Sequence, residues 1–136
     1  DVLSAVPDLP VQIAHMGGPG SGFTPTTDRV MTTFEEARKE RTDIMDQDVV
    51  FDLGGLILDP QPALAEGDTA KAQQMRRSNE KLSRQIEEIG VNRVVVGTDW
   101  FGGARKPLNY VHLLRSLSLD QEKLKSLFEN TAPYLN

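Results

Sequence analysis

The sequence has no cysteine, which excludes disulfides, thiol nucleophiles and thiolate metal sites. Histidine is nearly as scarce, with His15 and His112 alone in 136 residues. No apolar run reaches the roughly 18 residues of a membrane-spanning helix, so no membrane partner is expected. Basic clusters are missing too. The net charge of −5 argues against a surface built for nucleic acid or anionic lipid. No internal repeat is visible. Neither an initiator methionine nor a signal-peptide pattern opens the chain. Instead "DVLSAVPDLP" reads as the last turns of a helix (Val2, Leu3, Val6) stopped by Pro7, as expected for a piece of a longer polypeptide. Any targeting segment would lie upstream. Localisation therefore reads only as soluble, cytoplasmic or periplasmic.

Hydrophobic residues make up 38% and charged residues 26%, an ordinary composition for one folded domain over 1–136. Three short apolar runs read as strands: "VQIAHM" from Val11, "DVVFDLGG" from Asp48 and "NRVVVGTDW" from Asn92. Three successive β-branched residues, Val94 to Val96, suit a strand covered on both faces. Helical periodicity falls between and after these runs. One helix carries Val30, Phe34 and Ala37 on a face, with Asp28 as its cap. The longest presents Met75, Leu82, Ile86 and Ile89, and Gly90 stops it. Pro107 opens a third. Asp120 caps a fourth, with Leu124, Leu127 and Phe128 inward. Strands alternating with helices predict a parallel sheet with right-handed crossovers. Two irregular loops, "GGPGSGFTPTT" and "LILDPQPALAEGD", follow strands, at the edge where parallel α/β folds bind ligands.

Chemistry-bearing residues collect at those strand ends. Alternation places Val11, Ile13 and His15 on one face of the first strand. In the last strand it groups Val95, Gly97 and Asp99. An imidazole and a carboxylate converging on one rim suit a divalent metal, zinc above all, or general acid–base chemistry. A nucleotide loop does not fit, because Phe23 stands where a dinucleotide fingerprint needs its third glycine. The glycines rather let the chain turn sharply and leave room beside His15. Asp52, next to Gly54 and Gly55, faces the interior or caps a turn. Arg105 lies in the loop after the last strand, placed to meet a substrate carboxylate or to sit in solvent. Trp100 and Phe101 wall a pocket or simply pack. His112, inside a helical pattern, reads as structural.

The ordered set "VQIAHMGG", "VVFDLGG", "NRVVVGTDW" and "ENTAPYLN" resembles the C-terminal part of the amidohydrolase superfamily. The closest likeness is to its amidohydrolase-related branch of metal-dependent hydrolases and decarboxylases. The resemblance implies a fold: about strands 6–8, with their helices, of an eight-stranded TIM-type β/α barrel. It implies roles as well. Asp99, in Gly97-Thr98-Asp99, would bind the metal and take a proton from metal-bound water. His15 would lie at the metal centre as a ligand or an acid–base group. Asn130 and Ala132 would begin a final helix.

The chain departs from the family in having no His-x-His pair. Two candidate ligands fall short of the three expected at a catalytic zinc. The isolated chain is therefore expected to be inactive and to depend on an N-terminal remainder of the barrel, in the same chain or in a partner. A homo-oligomer is a further option. The expected activity is hydrolysis of a small-molecule ester, lactone or amide by metal-activated water. His15 and Asp99 would be catalytic, with Arg105 and Trp100 on the substrate. Two alternatives stay open: nonoxidative decarboxylation on the same scaffold, and a non-catalytic α/β binding module.

Overall fold

A computed structural model describes residues 5, 9–40, 48–97 and 107–131, without the side chains of 107–109. Asp99, Trp100, Phe101 and Arg105 lie outside the described residues, as do Val2, Leu3, Val6, Pro7 and Ala132. The β-branched and aromatic runs form three strands, β1 (Val11–Ile13), β2 (Val49–Asp52) and β3 (Val94–Val95). All pair in parallel in the order β1-β2-β3, with Gln12 opposite Val50 and Asp52 opposite Val95. Val94 and Val95 point to opposite faces and both are buried, so the sheet is covered on both sides there.

The described α-helices are α1 (Pro25–Glu40), α2 (Gln61–Ala65), α3 (Thr69–Ile89), α4 (Pro107–Leu114) and α5 (Gln121–Glu129), and short 3-10 turns span Ala14–Gly17 and Val91–Arg93. The main core forms on one face of the sheet. Val49, Phe51 and Val94 pack there with Met31 of α1 and with Leu82, Ile86 and Ile89 of α3. Phe34 of α1 meets Phe51 edge-on, with ring centroids 4.8 Å apart, a geometry worth about 0.5–1.5 kcal/mol beyond burial. Asp68 and Asp120 cap α3 and α5, accepting from the N–H groups of Lys71 and Lys123. The charged residues of α3 keep to its exposed side.

Several local expectations need correction. Thr24, not Asp28, caps α1, because Pro25 takes the first helical position and the Thr24 hydroxyl accepts from the Thr27 N–H. Phe128 does not turn inward; it is 45% exposed, while Leu127 fills the core. The segment after β2 is not all loop, since α2 lies within it. Asn130 caps the C-terminal end of α5, and the final helix expected from Asn130 and Ala132 falls outside the described residues beyond Thr131.

The barrel expectation is also overturned. Among the described residues the three strands form an open sheet, with β1 and β3 at its edges. The outer edge of β3 is engaged locally. The Val95 carbonyl accepts from Leu53 on the β2 side, so the backbone groups of Val94 point away from β2. The Val94 N–H donates to the Val91 carbonyl. The Val94 carbonyl accepts from Asn130 Nδ2 at 2.9 Å. A further strand at that position would have to displace both bonds. Among the described residues no helix is long and apolar enough to cross a membrane.

Candidate functional site

The carboxyl end of the sheet gathers around Asp52. This side chain closes β2 on the face of Gln12 and Val95 and is 9% exposed. Burying a carboxylate is costly unless donors surround it, and three do. Gln12 Nε2 donates to Oδ2 at 2.8 Å. The Gly54 N–H donates to Oδ1 at 2.8 Å, and the His15 N–H reaches the same oxygen at 3.3 Å. The first of these backbone bonds closes an Asx turn at "DLG". The end of β3 arrives at the same point. A Cβ on Gly97 would lie 3.1 Å from Asp52 Cγ. One carboxylate thus ties together the ends of all three strands.

His15 is not the last residue of a strand. β1 ends at Ile13, and Ala14–Gly17 form a tight turn. His15, Met16 and Gly17 take left-handed φ values of 51°, 49° and 74° in succession. A non-glycine residue there costs about 1–2 kcal/mol, so the surroundings must hold it. The Met16 side chain is fully buried in the core. The His15 N–H is tied to Asp52. Gly17 meets α1 so closely that a Cβ would sit 2.4 Å from Val30 Cγ1.

This turn also corrects the expected geometry. Strand register places Val11 and Ile13 on the face of Phe51 and Val94, opposite to Val95. Alternation carried on to His15 would therefore have set it on the wrong side to meet residues in the Val95–Gly97 phase. The left-handed turn brings its backbone to Asp52 instead.

The ring of His15 has a defined tautomer. Nδ1 lies 2.6 Å from the Gly54 carbonyl oxygen. A carbonyl only accepts, so Nδ1 carries the proton and the neutral ring keeps its lone pair on Nε2. Nε2 has no hydrogen-bond partner among the described residues. Gly20 packs on the ring; a Cβ there would lie 3.2 Å from three ring carbons. Tyr110 of α4 donates its hydroxyl to the neighbouring Leu53 carbonyl, fixing the same turn from outside.

No family model matches the chain, and no curated protein or solved structure matches it either.

Among the described residues no group of three or more His, Asp or Glu is placed to hold a metal ion. His15 Nε2 is one ligand atom. Both Asp52 oxygens are already engaged. A catalytic zinc takes three protein ligands and a water, so the described residues do not by themselves make up that centre. His112, on α4, is exposed and stands apart as a surface residue. The residue that organises this strand edge is Asp52. Its signal was available, since an aspartate two positions before a glycine is a turn-forming pattern.

Proposed function

We propose that the carboxyl end of the sheet is the reacting edge of a hydrolase for a small-molecule ester, lactone or amide, with His15 as its acid–base group. The observation that carries this reading is the held ring. A strained left-handed turn is maintained at a ligand-binding edge, and Gly54 fixes the tautomer that leaves Nε2 basic. In this role Nε2 takes a proton from the attacking water as its oxygen bonds to the substrate carbonyl carbon. It then returns the proton to the leaving oxygen or nitrogen. The Gly54 carbonyl, accepting from Nδ1–H, stabilises the imidazolium formed in between. The resemblance to amidohydrolase-related enzymes supports the same reaction class. It adds a divalent metal, with Asp99 as a ligand and Arg105 and Trp100 on the substrate. Such an ion, when bound, supplies activated water.

The test uses the full reading frame that encodes this chain, assayed with zinc against a panel of activated esters, lactones and anilides. His15→Asn is the key variant, because asparagine tolerates the left-handed region. Loss of roughly 10²–10⁴-fold in rate with the fold retained supports the reading. Equal rates in wild type and variant overturn it, as does a panel with no turnover.

A second reading, a non-catalytic α/β binding module, is favoured by one observation. Both carboxylate oxygens of Asp52 and Nδ1 of His15 are spent on the fold itself. It predicts that His15→Asn lowers stability and changes no rate.

A further inference from the structure

One turn of α3 reaches both loops that border His15. Ser78 Oγ accepts from the Phe23 N–H at 2.9 Å, at the end of the glycine-rich loop. Asn79, 4% exposed, accepts from the Leu58 N–H at 3.0 Å and donates to the Leu58 carbonyl at 2.9 Å. Its amide thus satisfies the backbone of residue 58 much as a paired strand would. The loops also touch each other. The Gly22 N–H donates to the Gly55 carbonyl at 3.1 Å. A Cβ on Gly22 would lie 2.7 Å from Leu58 Cδ1 and 3.1 Å from Ser78 Oγ. Three segments therefore meet at one joint. The first loop carries Gly20 onto the His15 ring, and the second carries the Gly54 carbonyl onto Nδ1.

Packing alone does not account for this joint. Asparagine is a poorer helix former than leucine, and a buried amide stabilises only when its bonds are made. Here the Asn79 amide bonds the second loop at Leu58, and the Ser78 hydroxyl bonds the first at Phe23. We infer that Ser78 and Asn79 are positioning residues for the strand-edge site. They hold both loops so that Gly20 and the Gly54 carbonyl keep the His15 ring in one orientation and one tautomer. This rests on the reading of His15 as the reacting group. Ser83, one turn further along α3, supplies the contrast. Its hydroxyl donates to the Asn79 carbonyl and accepts from the Ser118 N–H, touching neither loop.

The experiment records long-range ¹H–¹⁵N correlations of the His15 imidazole in alkaline buffer, on the full chain. Wild type is compared with Ser78→Ala, Asn79→Leu and Ser83→Ala. Wild type is expected to show Nδ1 as the N–H nitrogen and Nε2 as the lone-pair nitrogen. In Ser78→Ala and Asn79→Leu the two ¹⁵N shifts are expected to collapse toward their average, while Ser83→Ala keeps the wild-type separation. If Asn79→Leu fails to fold, Ser78→Ala, which loses one half-buried hydroxyl, carries the test. Wild-type separation in the folded loop variants overturns the inference alone. So does an equal collapse in Ser83→Ala. A wild-type ring without a single tautomer overturns the His15 reading, and this inference with it.

Discussion

Gly97 comes so close to Asp52 that a Cβ at residue 97 would sit 3.1 Å from both Cγ and Oδ1. The carboxylate cannot easily give way, because three donors fix it. Gly97→Ala is therefore expected to destabilise the fold by about 1–3 kcal/mol, the usual cost of overpacking. A lower urea midpoint with an unchanged slope is the expected observation. An unshifted midpoint would mean that Asp52 moves freely.

Asp52 itself should respond to substitution in a graded way. Asp52→Ala strands the Gln12 amide and the N–H groups of Gly54 and His15 without an acceptor. Hydrogen bonds to a buried charged group are worth about 1.5–3 kcal/mol each, so a loss of at least about 3 kcal/mol is expected. Asp52→Asn keeps one oxygen for the two backbone donors and should lose clearly less. Denaturant titration of the two variants side by side checks the order. The reverse order would remove Asp52 from the centre of the site.

Asn130 closes the outer edge of β3 with bonds of 2.6 and 2.9 Å to the carbonyls of Val91 and Val94. Asn130→Ala leaves both without that donor and exposes an unpaired edge. Expected are a loss of about 1–2 kcal/mol and association that grows with concentration, read by sedimentation. A variant that stays as stable and as dispersed as wild type would show that the edge needs no cover.

The pH response has one resolved source among the described residues. The Lys123 N–H, then its ammonium, hold the Asp120 carboxyl below its ordinary value of 3.8. Glu87, then Asp120, raise the Lys123 ammonium above 10.5. The Asp120 contribution is complete above 3.8 and is lost as pH falls through the lowered value. The Lys123 contribution is complete below 10.5 and is lost as pH rises through the raised value. Lys123→Met should therefore be less stable than wild type at neutral pH, with the gap narrowing in acid and in strong base. All three groups are exposed, so the gap should be small and should shrink with added salt.

Much of the chain's architecture could be read from local chemistry. β2 and β3 fall inside the apolar runs "DVVFDLGG" and "NRVVVGTDW", and the caps of α3 and α5 are the aspartates that stand before their periodic stretches. At the start of α1, Asp28 has the chemistry of a cap, but Pro25 sets the first turn directly after Thr24. The barrel expectation rested on the family resemblance, since alternating strands and helices describe closed and open parallel sheets equally well. What separates them here is a side chain 36 residues downstream of Val94, and no local pattern announces that contact. The position of His15 was hidden for a related reason. Histidine and methionine do not advertise three left-handed residues in a row. Only the burial of Met16 and the grip of Asp52, both tertiary, impose them.

The bond from Asn130 to Val94 also has a consequence for synthesis. At translation rates of about 5–20 residues per second, the 36 residues between them take roughly 2–7 s to appear. Val94 leaves the ribosome by the same interval ahead of Asn130, and until then its carbonyl lacks that donor. A chain arrested with Val94 outside the ribosome and Asn130 still inside would present a sheet margin open to a neighbouring polypeptide.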